Sequence, residues 1–233
     1  MIPRTIHYCW FGRGKKSELS MKCIHSWEKF CPDYEIVEWN EDNFDVELNA
    51  YTKMCYEEKK FAFLSDYARL KILQKYGGFY FDTDVEIVRP IDELRTHPAF
   101  IGFETNEYVN TGEGFGAEPH NRAVTALLSE YNILLDGLHG TRGCPILNTQ
   151  ALLKLGLVQN GSFQNLEDIV VYPPQYFNPY DDSLGKLRVA PETYSIHWYA
   201  KSWMKRSTVI RSYLSKPFHR LVRKLNAKEE KHP

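Results

Sequence analysis

Asp82 and Asp84 are separated by one residue at the end of the apolar run Gly78-Phe79-Tyr80-Phe81. Side chains two apart on an extended backbone point to the same side, so the spacing predicts that both acids face one small, hard cation. Mg²⁺ and similar ions are held by one or two carboxylates plus the oxygens of a substrate phosphate, rather than by a complete protein cage. Two acids are therefore enough if the substrate brings a diphosphate. Just upstream, Asp66 and Arg69 are three residues apart and so are neighbours on a helix surface. That helix feeds directly into the acidic pair.

The elements around these residues follow from periodicity. Phe63, Tyr67 and Leu70 form one stripe with Leu64, Ala68 and Ile72 beside it, predicting a largely buried helix over 61–76 that Gly77 and Gly78 end. Thr5 to Phe11 reads as a first buried strand, Ser17 to Phe30 as an amphipathic helix closed by Pro32, and Tyr34 to Trp39 as a second strand. Asn40 and Asp42 read as turn or cap residues that start a further helix. Strand, helix, strand and helix, then the 61–76 helix and the Phe79 strand, make an α/β sheet with parallel elements. Ligands in such sheets gather at the carboxyl ends of strands, where Trp10 and Asp82 would both lie. Later come a strand at Ala99 to Phe103, helices from Pro119 to Leu135 and from Cys144 to Leu155, and strands at Ile169 to Tyr172 and Tyr194 to Trp198. The glycine-rich Thr111 to Gly116 is expected to be a loop leading away from the acidic pair, near an acceptor.

At 233 residues and 43% hydrophobic, the chain suits one domain with a sizeable core. A formal charge of −1 makes no case for nucleic acid. The charge is uneven, however: residues 201–233 hold 10 Lys and Arg against 2 Glu, and Ile210, Leu214, Phe218, Leu221 and Leu225 recur at helical spacing. This predicts two parts, 1–206 and a basic amphipathic helical tail at 207–233. The tail either meets an anionic membrane surface or packs on the domain, with Pro217 kinking it. Cys9, Cys23, Cys31, Cys55 and Cys144 include no C-x-x-C pair, so neither a zinc site nor a disulfide framework is expected. No run approaches the roughly 18 apolar residues of a membrane span, and no secretory leader is evident. The expected location is cytoplasmic, with the inner membrane face as a peripheral site.

Ser65-Asp66-Tyr67-Ala68-Arg69, followed by Tyr76-Gly77-Gly78-Phe79-Tyr80-Phe81-Asp82-Thr83-Asp84-Val85, resembles the core signature of glycosyltransferase family 32, the DXD sugar-binding enzymes. It is also similar to the glucosyltransferase domains of large bacterial toxins. The likeness extends to Ile2 to Gly12, Pro32 to Glu35, Trp39 to Glu41, Gln175 to Tyr180 and His197-Trp198, covering about the first 200 residues. It implies a GT-A type nucleotide-sugar-binding sheet flanked by helices. By the same resemblance, Trp10 stacks on a uracil, His197 binds metal or phosphate, and Trp198, Ser202 and Trp203 form a lid.

The expected reaction is metal-dependent, anomer-retaining glycosyl transfer from a nucleotide-diphosphate sugar, UDP-sugar favoured, with Mn²⁺ or Mg²⁺. The acceptor would be a glycan or lipid-linked oligosaccharide, as in capsular polysaccharide synthesis. Asp84 is expected to ligate the metal, and Asp82 to serve the metal surroundings and the ribose or sugar hydroxyls. Asp66 and Arg69 would serve the sugar hydroxyls, with Tyr80 lining the pocket. Two alternatives stay open. An apolar strand ending in Asp-Thr-Asp-Val also resembles the start of a haloacid-dehalogenase-like phosphatase that would use Asp82 and Asp84, and a non-catalytic sugar-nucleotide-binding module would keep the same site.

Overall fold

The structure is a computed structural model that describes residues 1–201. The boundary at 206/207, the tail stripe, Ser202 and Trp203 lie outside the described residues.

In chain order the elements are β1 (Thr5–Cys9), α1 (Glu18–Phe30), β2 (Glu35–Trp39), α2 (Ala50–Glu57), α3 (Phe61–Tyr76), β3 (Gly78–Tyr80), β4 (Val85–Ile87), β5 (Ala99–Phe103) and β6 (Val109–Ala117). Then follow α4 (Arg122–Ser129), α5 (Cys144–Lys154), β7 (Gln164–Asn165), β8 (Val170–Tyr172), α6 (Pro174–Phe177), β9 (Tyr180–Asp181), β10 (Lys186–Leu187) and β11 (Ser195–His197). Seven strands form one sheet in the order β2-β1-β3-β6-β5-β8-β7. β1 is parallel to β2 and β3, whereas β6 runs antiparallel to both β3 and β5. The sheet is therefore mixed. Its first half is the expected parallel unit, in which the His7–Tyr80 register carries Trp10 and Asp82 to the same carboxyl edge.

Alternation along β3 divides the core. Tyr80 faces the layer formed by α3, α4 and α5, with Leu64, Leu70, Val124 and Leu147, while Phe79 and Phe81 face α1 with Ile24 and Trp27. On α1, Ser17 caps the N-terminus by accepting from the Ser20 N–H. The same helix holds the chain beyond the acidic pair: Trp27 Nε1 donates to the Val85 carbonyl at 2.8 Å, and the Ile87 N–H donates to Ser26 Oγ at 2.9 Å. At the other end of β3, Gly77 and Gly78 take φ of 65° and 99°. A Cβ on Gly78 would meet the Thr5 carbonyl oxygen at 2.7 Å, so close strand pairing as well as φ demands glycine there.

Three expectations need correction. Asn40 and Asp42 are turn residues, one of the two roles expected, but the helix they were expected to start begins only at Ala50, where Asn49 and Thr52 form a capping box. The helix expected from Pro119 to Leu135 is only Arg122–Ser129, capped by Asn121, with a separate 3₁₀ turn at Asn132–Leu134. Thr111 to Gly116 belongs to the nine-residue buried strand β6. Its register against β5 slips between Ile101 and Gly102, whose partners are Phe115 and Asn110, so residues 111–114 bulge out of the ladder.

All five cysteines are buried and unpaired. Among the described residues, no helix is long and apolar enough to cross a membrane.

Candidate active site

The acidic pair sits in a turn, not on an extended strand. β3 ends at Tyr80 and β4 begins at Val85, and the Val85 N–H closes the turn on the Asp82 carbonyl at 3.0 Å. Asp82 and Asp84 consequently make different contacts.

Asp82 Oδ1 lies 2.9 Å from Arg69 Nη2 and accepts from the Tyr80 hydroxyl at 3.1 Å. The same Arg69 nitrogen lies 3.0 Å from Asp66 Oδ1, and the guanidinium carbon sits 4.6 Å from the Tyr80 ring centroid. One buried cation thus joins two carboxylates from helix and turn, a cation–π contact adding to it. Burial pushes the Asp66 carboxyl up to about 6, against the opposing charge of Arg69, and raises Asp82 in the same way. Arg69 is 2% exposed and Tyr80 1%. Tyr80 thus braces Asp82 through its hydroxyl, and Asp66 and Arg69 reach the same carboxylate from α3.

Asp84 points the other way. Its Oδ2 accepts from the Ala200 N–H at 2.7 Å, and its Oδ1 lies 3.5 Å from His197 Nε2. Burial works against the charge on Asp84, but His197 and the Ala200 N–H outweigh it and hold the carboxyl below its ordinary value. His197 is raised well above the ordinary imidazole value: burial opposes its charge, and Asp84 and then Glu113 overcome that. β11 pairs antiparallel with β4, setting His197 opposite Val85. The Trp198 N–H donates to the Asp84 carbonyl at 2.9 Å, and its indole Nε1 donates to Glu86 Oε2 at 2.9 Å. His197 and Trp198 are thus held by a strand ladder, one backbone bond and one indole bond.

Sequence reasoning missed Glu113. It is fully buried on the β6 bulge, neither carboxylate oxygen has a hydrogen-bond partner, and Oε2 lies 3.8 Å from His197 Nδ1. Burial pushes its carboxyl up to about 8. The bulge lies directly against the acidic pair: the Asp82 N–H donates to the Gly112 carbonyl at 2.8 Å, and a Cβ on Gly112 would meet Asp82 Oδ2 at 2.1 Å. Glycine at every second position, 112, 114 and 116, is the period of a strand with one face packed closely. That period was the signal available for Glu113. The Gly114 and Gly116 positions confirm the close packing, since added Cβ atoms would meet Phe177 and Phe100 at 2.4 Å.

Trp10 borders a cleft of about 220 Å³ with Arg13, Gly14, Lys16, Glu38, Asn40 and Glu41. Its indole donates to the Gly14 carbonyl at 2.6 Å, and Lys16 Nζ lies 5.5 Å from its ring. The carboxyl end of β1 thus carries Trp10 and its cleft, while the turn after β3 carries a carboxylate fixed on arginine and a carboxylate paired with the His197 imidazole; none of these three groups lines the Trp10 cleft. Asp84 and His197 fit a hard divalent cation by donor type, and Glu113 lies on the far side of the His197 ring from Asp84.

Residues 17–101 match the family model described as "Glycosyltransferase sugar-binding region containing DXD motif". The match covers little more than a third of the chain. The match takes in Asp66, Arg69, Asp82 and Asp84 and stops short of Glu113 and His197. Inositol phosphoceramide mannosyltransferase 3 of Schizosaccharomyces pombe is 32% identical over 112 residues, 43% of this chain and 29% of that protein. Human alpha-1,4-N-acetylglucosaminyltransferase is 34% identical over 122 residues, 49% of this chain and 33% of that protein. The chain thus spans about a third of the length of these relatives. Among solved structures, PaToxG Glycosyltransferase superimposes with a TM-score of 0.53 at 20% identity, covering 66% of this chain and 68% of that one. That likeness shows the fold, which is the GT-A type sheet expected from the sequence.

Proposed function

We propose that the protein is a metal-dependent glycosyltransferase that moves a sugar from a nucleotide-diphosphate sugar, UDP-sugar favoured, to a glycan or lipid-linked glycan acceptor with retention at the anomeric carbon. The observation that carries this reading is the turn at 82–84, where Asp84 faces His197 while Asp82 is fixed on Arg69, inside the matched sugar-binding region.

In this reading Asp84 and His197 Nε2 hold Mn²⁺ or Mg²⁺. The ion supplies positive charge against the negative charge that accumulates on the departing diphosphate. Asp82 orients ribose or sugar hydroxyls through the oxygen that Arg69 leaves free, and Asp66 and Tyr80 keep it in place. Trp10, at the carboxyl end of the neighbouring strand β1, offers its face to the base. A phosphatase using Asp82 and Asp84 gains no support, because the matched family model and the named relatives are glycosyltransferases.

The working location is the cytoplasmic side of a membrane, reached through the basic residues of 207–233, with a role in building a surface polysaccharide. If so, deletion of 207–233 removes sedimentation with anionic vesicles and spares donor hydrolysis. Vesicle binding that survives the deletion would refute the tail's role.

The deciding experiment is a panel of nucleotide sugars scored for Mn²⁺-dependent release of nucleoside diphosphate, with Asp84→Asn alongside. Release by the parent and its loss in a folded Asp84→Asn variant support transfer chemistry. Release that is indifferent to EDTA, or a variant within a few fold of the parent, would overturn it.

A further inference from the structure

The fully buried carboxylate of Glu113 has no place in the mechanism above, and leaving a buried carboxylate without hydrogen bonds is costly. Its surroundings narrow what it can do. The nearest donor is His197 Nδ1, which is itself without a hydrogen-bond partner, 3.8 Å from Oε2. The opposite nitrogen of the same ring faces Asp84. The ring's face is covered by Tyr199, with centroids 4.0 Å apart and planes 29° from parallel, and the Tyr199 hydroxyl reaches Glu104 Oε1 at 3.3 Å. Tyr199 itself takes a left-handed φ of 51°, a conformation that costs free energy in a non-glycine residue. The imidazole is thus covered on one face and lies between two carboxyl groups, Asp84 at Nε2 and Glu113 at Nδ1, with no hydrogen bond yet made at Nδ1.

The placement of Glu113 on the strand is as specific. Residues 111–114 bulge from β6, the Ser195 hydroxyl donates to the Glu113 carbonyl at 2.9 Å, and the Gly112 N–H is held by Asn110 Oδ1 at 2.8 Å. The bulge therefore turns Glu113 toward β11, the strand that carries His197. In an unbulged strand the ladder with β5 would continue through these residues.

We propose that Glu113 is a positioning residue for the metal site: it accepts the Nδ1–H of His197 and so leaves the Nε2 lone pair aimed, with Asp84, at the cation. A ligating imidazole commonly donates its other N–H to a carboxylate in this way, which fixes both tautomer and ring orientation. A small rotation of the ring would close the 3.8 Å separation to a hydrogen bond while Nε2 stays beside Asp84. The inference rests on the reading of Asp84 and His197 as metal ligands, and its test is built so that the two can fail separately.

The experiment measures Mn²⁺ binding to the full-length chain in the presence of UDP, by loss of the free-ion paramagnetic resonance signal. Spin-echo modulation of the bound ion is read for a coordinated imidazole nitrogen. Glu113→Gln and Glu113→Leu are compared with the parent, with thermal unfolding recorded for each. The expected result is a parent with one bound Mn²⁺ showing the nitrogen coupling. Glu113→Leu should bind about 10- to 100-fold more weakly with the coupling reduced, and Glu113→Gln, whose amide oxygen still accepts, should lie between. The unfolding curves serve to show that each variant is folded at the temperature of the binding measurement. If the parent shows the coupling but Glu113→Leu and Glu113→Gln bind within twofold of it with the signal unchanged, Glu113 has no positioning role. If the parent shows no coupled nitrogen, His197 is not a ligand and the underlying reading fails first. A second Mn²⁺ that only the Glu113 variants lose would overturn the proposal, because Glu104, Glu113 and His197 Nδ1, whose ligand atoms lie within 4.8 Å of one another, would then be a cation site of their own.

Discussion

Gly112→Ala tests the packing that sets Asp82 in place. The added Cβ would lie 2.1 Å from Asp82 Oδ2 and 2.9 Å from Arg69 Nη1. An ordinary carbon–oxygen contact is over 3 Å, so Asp82 has to retreat by about 1 Å or the bulge has to open. The backbone conformation at 112 suits alanine, so the cost is steric. Overpacking of this kind costs about 1–3 kcal/mol. Lengthening the 2.9 Å contact between Asp82 and Arg69 forfeits part of a charged hydrogen bond worth about 1.5–3 kcal/mol. Together they predict a loss of about 2–4 kcal/mol, or roughly 5–15 °C in unfolding midpoint for a domain of this size. Catalysis should suffer more than stability alone explains, since a 1 Å misplacement of a positioning group costs about 10²-fold. The assay is urea unfolding together with kcat/KM for nucleoside diphosphate release at a temperature where the variant is folded. Gly14→Ala, where an added Cβ meets nothing within 4 Å, is the stability control and should stay within about 0.5 kcal/mol of the parent. A Gly112→Ala variant as stable and as active as the parent would show that the bulge does not press on Asp82.

Arg69→Met should destabilise by about 3–5 kcal/mol in urea unfolding, because it leaves Asp66 and Asp82 facing each other without their shared cation; a loss under 1 kcal/mol would show the triad to be dispensable. Trp27→Phe keeps most of the buried volume but strands the Val85 carbonyl, so about 1–3 kcal/mol should be lost, and an unchanged urea midpoint would argue that β4 needs no such anchor. His7 is buried with Nε2 donating to the Gly77 carbonyl at 3.0 Å and Nδ1 accepting from Trp39 Nε1 at 3.0 Å, and burial lowers its pKa from 6.5 to about 4. Protonation therefore favours the unfolded chain: the His7 contribution is complete above pH 6.5, is lost as pH falls toward 4, and amounts to about 3 kcal/mol at 1.36 kcal/mol per pH unit. Urea unfolding of parent and His7→Gln between pH 8 and pH 4 should show that extra slope in the parent alone, and parallel curves would refute the assignment.

The order and type of the elements through β3 were legible in the sequence because each is set by local periodicity and punctuation. The stripe of α3, the Gly77-Gly78 stop and the apolar β3 leading to two acids require only neighbours in sequence, and they locate Asp66, Arg69, Asp82 and Asp84 on elements that the sheet then brings together. What sequence periodicity misjudged was the acidic pair's geometry. Two residues apart means one face only on a strand, and the chain turns between Asp82 and Val85 because Gly112 from β6 takes the Asp82 N–H while α1 takes the Val85 carbonyl. Those partners are 30 and 58 residues away in sequence. The role of Glu113 was hidden for the same reason. A glycine-rich stretch looks like a loop when read alone, and only its antiparallel insertion between β3 and β5 makes it a buried strand whose bulge delivers a carboxylate to His197. Residue type and spacing thus determined which chemistry the chain could carry. Long-range strand pairing, which no local pattern encodes, decided which groups face one another.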